Sequence, residues 1–168
     1  MRARLFLRLT TLDGDTVAVR RATNSVMRGG AELVANLFAG RGSPITHMVV
    51  GTSDEPETDA FSTAALANAS VGGEPELTGG TEAAIPPDAF VITTDETHRL
   101  ATVRIHATMP PERAIGTVRE AGLLSRKDET TATLYNRVTF APLAKGGDHE
   151  LTMFWEVSFP YGDLQWLQ

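Results

Sequence analysis

The sequence predicts a mainly β fold, an antiparallel β-sandwich with one short helix and long irregular loops, on three observations. Near the C-terminus Leu151, Met153, Trp155, Val157 and Phe159 alternate with Thr152, Glu156 and Ser158, with Phe154 the one exception. Such alternation marks a strand with one face on a core, and a one-residue slip would put all five apolar side chains in water. Further upstream Val103, Ile105, Ala107 and Met109 alternate in the same way with Thr102, Arg104, His106 and Thr108. Finally, about seven or eight strand-like stretches, joined by turn-rich segments, accompany a single stretch of helical periodicity, the pattern of a sandwich with an attached helix.

Taken in order, residues 4–10 and 16–21 read as two strands joined at Asp13-Gly14-Asp15, a hairpin signal. Arg4, Arg8, Arg20 and Arg21 decorate them. Two readings of these arginines stay open: a solvated edge whose charges discourage pairing, or an arm that meets acidic surfaces of a neighbouring subunit. A helix follows over 30–38, with Ala31, Val34, Leu37 and Phe38 on one stripe and Gly40 as its C-terminal cap. Residues 45–50 read as a buried strand. From Asp54 to Pro87 acidic residues, glycines, threonines and prolines dominate around scattered anchors (Phe61, Leu66, Leu77, Ile85), with a helical turn or two expected over 64–69. A loop this long inside a domain tends to be functional or mobile.

Strands resume over 89–94 and 99–109, and Pro110-Pro111 stops the second of them. The central block, 115–159, reads as three consecutive strands with two polar turns. Its middle strand sets Leu134, Val138 and Phe140 against Tyr135, Arg137 and Thr139, with Asn136 placed near the upper edge of the apolar face. The turn Lys145-Gly146-Gly147-Asp148 supplies the φ > 0 positions of a hairpin connection. After Phe159, the tail 160–168 carries Tyr161, Leu164, Trp166 and Leu167. Large apolar groups at a chain end either fold back on the sandwich or dock on another subunit.

At 168 residues, with 42% hydrophobic and 21% charged, the chain fits one soluble domain with peripheral segments. It has no cysteine, so it carries neither a disulfide framework nor a thiolate metal site. No apolar run approaches the roughly 20 residues of a membrane helix, so no membrane insertion is expected. Arg8 interrupts the apolar N-terminal stretch, which therefore reads as a strand and not as a signal peptide. A net charge of −6 argues against a nucleic-acid backbone as partner.

Reagents are scarce. His47, His98, His106 and His149 lack zinc-motif spacing, no Gly-x-Ser-x-Gly elbow occurs, and the glycine pairs lack the Lys-Ser/Thr ending of a phosphate loop. Asp54, Glu55, Glu57 and Asp59 lack the order of a preformed calcium loop and read as a solvated loop. No catalytic residue, cofactor or metal is expected.

Four blocks carry a resemblance. Ile45-Thr46-His47-Met48-Val49-Val50-Gly51-Thr52, followed by an acidic loop and Ala64-Ala65-Leu66, is similar to a strand and turn of many phage tail-associated proteins. Val118-Arg119-Glu120-Ala121-Gly122-Leu123-Leu124 resembles another of their strands. Leu134 to Phe140 and Leu151 to Phe159 resemble their closing hairpin. The resemblance implies a non-enzymatic component of a phage tail or phage-derived contractile injection particle, at a fibre, collar or baseplate-periphery position. It implies a homo-oligomer held by contacts with copies of itself and with other tail or baseplate proteins. Such a protein is made in the host cytoplasm and incorporated in a virion or tail-like particle.

Longer fibre proteins continue into a repetitive shaft and a receptor-binding tip, which favours an adaptor or scaffold here. Three parts follow: residues 1–44 as an attachment element, 45–159 as the body with its loop 54–87, and 160–168 as a docking tail. Expected contact residues are Arg20 and Arg21 on the hairpin and Tyr161, Leu164 and Trp166 on the tail. The competing class is a carbohydrate- or receptor-binding sandwich that uses the loop 54–87.

Overall fold

A computed structural model describes residues 2–162. Its strands are β1 (Arg2–Thr11), β2 (Thr16–Thr23), β3 (Ser25–Val26), β4 (His47–Gly51), β5 (Glu82–Ala84), β6 (Phe90–Asp95), β7 (Leu100–Met109), β8 (Gly116–Arg126), β9 (Ala132–Lys145) and β10 (His149–Pro160). One helix, α1 (Arg28–Phe38), lies between β3 and β4. Among the described residues the strands form two five-stranded antiparallel sheets, a front sheet β2-β1-β10-β7-β6 and a back sheet β3-β9-β8-β4-β5. The mainly β, two-sheet architecture with one helix is the one the alternation predicts.

The core lies between the sheets and is built in rows. Leu5 pairs with Trp155 and Trp155 with Ile105; Leu7, Met153 and Ala107 make the next row, and Leu9, Leu151 and Met109 the third. All nine are buried, and they face Met48, Val50, Ala121, Leu123, Tyr135, Val138 and Leu143 of the back sheet. Each fully buried large apolar side chain contributes about 1.5–3 kcal/mol, which is what fixes the register.

Several expectations are corrected. The turn after Lys145 does not close a hairpin: β9 lies in the back sheet and β10 in the front one. Both edges of β10 are taken by β1 and β7, and both edges of β9 by β3 and β8, so the chain crosses between sheets. The expected boundary at residue 44 falls inside the body, because β1 is an interior strand whose Ala3, Leu5, Leu7 and Leu9 are buried. Residues 64–69 form no helix. Their backbone is satisfied by partners across the loop, with the Thr52 N–H donating to Ala67 O at 2.9 Å and the Ala69 N–H to Thr52 Oγ1 at 3.0 Å.

Within α1 the buried residues are Gly30 and Leu33, while Phe38 is 92% exposed, so of the stripe read from sequence Val34 packs on the core and Leu37 and Phe38 do not. Gly30 decides this. A Cβ there would overlap the Tyr135 carbonyl oxygen and stand 2.8 Å from Tyr135 Cα, so only glycine lets the helix lie this close to β9. Gly40, at φ 68, follows the helix as expected. In β9 a register shift opposite Leu123 and Leu124 breaks the alternation. Tyr135 and Val138 enter the core, Leu134 turns to the other side, and Asn136 is fully buried with its Oδ1 accepting the Leu123 N–H at 2.9 Å.

Candidate interaction face

The outward faces of the two sheets are treated differently. The back sheet is covered. Glu120 of β8 is 0% exposed, and its Oε2 accepts from Arg137 Nε of β9 at 2.7 Å. Its Oε1 accepts the Ala67 N–H at 2.8 Å and the Ser53 N–H at 3.4 Å. Arg137 in turn donates to Glu57 at 3.3 Å and to the Glu55 carbonyl at 2.9 Å. One buried ion pair therefore clamps the loop 53–67 onto the sheet, with Leu66 packed on Val49, Leu124, Leu134 and Met27. Further along the loop, the Arg119 guanidinium donates to Glu74 and holds that carboxyl below its usual range.

Among the described residues the front sheet is bare. Because Leu5, Leu7 and Leu9 point inward, Arg4, Phe6 and Arg8 point outward, and β10 sends out Phe154 and Glu156 by the same parity. Cross-strand registry places Arg21, Phe6, Phe154 and His106 in one row across four strands. Thr23, Arg4, Glu156, Arg104 and Val91 form the row beside it, and Val19, Arg8, Thr152 and Thr108 the row on the other flank. Phe6 and Phe154 lie 5.8 Å apart between centroids, tilted by 49°, and His106 stacks on Phe154 at 6.2 Å. The Arg21 guanidinium sits 5.3 Å over Phe6, and that of Arg8 sits 5.6 Å over Phe154. Around the two rings the sheet surface forms an open depression of about 620 Å³.

The described part of this face thus carries four arginines and one glutamate. Arg104 pairs with Glu156 at 3.0 Å, whereas Arg4, Arg8 and Arg21 have no carboxylate partner among the described residues. Arg8 and Arg21, both exposed beside the rings, each carry the forked N–H donors that can receive a carboxylate or phosphate in two parallel hydrogen bonds. The phenylalanines offer an apolar floor between these charges. The chemistry available is recognition of an anionic group that carries an apolar or planar neighbour.

Other features offer less. His98 pairs with Asp95 at 2.7 Å in an exposed turn, and His149 Nδ1 accepts the Gly146 N–H at 3.1 Å. Among the described residues no three His, Asp or Glu side chains converge to hold a metal. An apolar cleft of about 680 Å³ opens beside α1, lined by Leu33, Ile45, Phe90, Ile92, Val103 and Phe159, with no charged group among the described residues that line it.

Of the five contact residues expected from sequence, Arg21 belongs to this face. Arg20 faces the other way and is engaged within the chain, donating to the carbonyls of Ala141 at 2.9 Å and Pro142 at 2.7 Å and so tying β2 to β9. Tyr161 is half-exposed, its N–H donating to Arg99 O at 3.0 Å. It lies seven positions beyond Phe154, about 23 Å at the rise of a strand, so it is not part of the same patch. Leu164 and Trp166 lie outside the described residues. Sequence reasoning missed Phe6, Arg104, His106 and Phe154. The available signal was Phe154 itself, the aromatic that broke an otherwise polar outward face; Phe6 breaks the outward face of β1 in the same way, and the two strands pair. Comparisons with family models, with curated proteins and with solved structures find no match.

Proposed function

We propose that this chain is a non-enzymatic structural component of a phage tail or phage-tail-like particle, an adaptor that grips an acidic neighbour with the outward face of its front sheet. One observation carries the gripping role: among the described residues Arg4, Arg8 and Arg21 stand without carboxylate partners around two tilted phenylalanines, on a sheet face that no described loop covers. In a chain of net charge −6 such a concentration of positive charge directs association to one face, since like charges elsewhere repel an acidic partner. The particle itself comes from the resemblance of the four sequence blocks. Three of them, in β4, β8 and β9, lie side by side in the back sheet.

Sedimentation of particles from the organism that encodes the chain tests this. The protein should travel with tail proteins identified by peptide mass spectrometry, and the Arg8→Glu/Arg21→Glu variant should stay in the supernatant. Wild-type protein found only in the supernatant refutes the adaptor role. The size of the depression favours a second reading, a carbohydrate- or receptor-binding module, because 620 Å³ suits a small ligand. Retention of an acidic oligosaccharide by the purified wild-type chain, and not by the variant, would select it.

A further inference from the structure

We infer that the acidic neighbour is a second copy of this chain, whose loop 54–61 seats on the front sheet in a head-to-tail contact. This rests on the reading of the front face as an acid-binding surface and names its occupant. Two independent features of the loop match that face. Asp54, Glu55 and Asp59 are exposed on it, and among the described residues Asp54 has only Arg119 at 4.0 Å as an ion partner. Phe61 ends the same segment 40% exposed, with its backbone in the left-handed region at φ 46, where a bulky residue is uncommon. Carboxylates beside a protruding phenylalanine complement unpaired arginines beside a phenylalanine floor.

The loop is also held ready. Glu57 is fixed by Arg137 and by Thr63 Oγ1 at 2.7 Å, and the Arg28 N–H donates to Phe61 O at 2.8 Å. Little ordering is left to do on docking, which favours affinity. The loop lies on the outward side of the back sheet and its receptor on the outward side of the front sheet, so one molecule cannot satisfy both. A contact between unlike surfaces is heterologous and propagates into a ring or a filament. An eight-residue epitope buries less than the roughly 800 Å² per partner of a standard interface. Each contact is therefore weak, and closure of a ring is what makes the assembly persist.

The test uses the chain and two variants, Arg8→Glu/Arg21→Glu with a reversed front face and Asp54→Asn/Asp59→Asn with a neutralised loop. Sedimentation velocity and native mass spectrometry read the result, with circular dichroism confirming the fold of each. Wild-type protein should form oligomers whose association constant drops about tenfold or more between low and high salt. Each variant alone should be monomeric. Mixed in equal amounts, they should form a one-to-one dimer and stop, since one intact loop then meets one intact face; Phe61→Ala in the first variant should abolish that dimer. Monomeric wild-type protein overturns the inference, as does a mixture that stays monomeric or a variant that self-associates on its own. A monomeric chain that still sediments with particles would refute this contact and leave the adaptor role standing. A self-assembling chain absent from particles would do the reverse.

Discussion

Replacing Glu120 by alanine should cost about 3–4 kcal/mol, within the range measured when one partner of a buried ion pair is removed. The structure places the variant there for two reasons. Arg137, only 7% exposed, would lose its 2.7 Å partner and keep Glu57 at 3.3 Å, so its charge would be partly and not wholly uncompensated. The Ala67 and Ser53 N–H groups would lose an acceptor, but both lie on a loop that can turn them to water, so they add little. Release of that loop would expose the small cluster around Leu66.

With a urea slope of about 2 kcal/mol/M, the unfolding midpoint should fall by about 1.5–2 M. Limited proteolysis should now cut within residues 54–66. Adding Arg137→Met removes the stranded guanidinium and should restore at least about 1 kcal/mol of the loss. A loss under about 1 kcal/mol in Glu120→Ala, with the loop still protected, would refute the clamp.

Gly30→Ala should destabilise by about 1–3 kcal/mol, because its methyl group meets the Tyr135 backbone, whereas Gly29→Ala, with Thr133 Cγ2 at 3.5 Å, should be neutral or slightly stabilising. Denaturant melts of the pair distinguish a close approach from a general intolerance of the helix. Trp155→Ala should cost about 3–5 kcal/mol, since the indole is buried between Leu5 and Ile105, and a smaller loss would mean the sheets close over the gap. Backbone and side-chain hydrogen bonds from Thr130, then those from Thr131, hold the Asp128 carboxyl down at about 2. Its stabilising effect is thus present above the ordinary carboxylate value and lost as pH falls toward 2. The difference in urea midpoint between wild type and Asp128→Ala should shrink from pH 5 to pH 2.5, and a constant difference would contradict the assignment.

Strand positions were legible where one face meets the core, because burial of every second residue leaves a period of two that polar substitution would erase. β1, β7 and β10 show it and were placed within about two residues at each end. What alternation does not carry is the choice of partner strand: β9 and β10 read as a hairpin, yet the edges beside each were already filled. β3 and β5 are too short, at two and three residues, to show any period. The slip at Tyr135 exchanged the expected sides of Leu134 and Tyr135, while Val138 and Phe140 kept theirs, and no local composition announces a bulge. The loop looked like surface from its glycines and acids, but Glu120 and Arg137, 17 positions apart on two strands, determine where it lies. The interaction face follows the same logic. Its arginines were noticed one hairpin at a time, and only the cross-strand register aligns Phe6, Phe154 and His106.

A buried ion pair is weak evidence of stability, since well-packed apolar residues often serve as well or better. Its use in specifying position is the better account of Glu120 and Arg137, because apolar side chains there would hold a loop without fixing its register. That gives the clamp a second readout. If it exists to present Asp54, Asp59 and Phe61 rigidly, Glu120→Ala should abolish self-association although no contact residue is altered. The same variant keeps its front face, so mixing it with Arg8→Glu/Arg21→Glu, whose loop is intact, should restore a one-to-one dimer. Mixing it with Asp54→Asn/Asp59→Asn should not, since neither then offers a competent loop. A dimer in both mixtures would show that the loop docks without being pre-ordered, and would separate the clamp from assembly altogether.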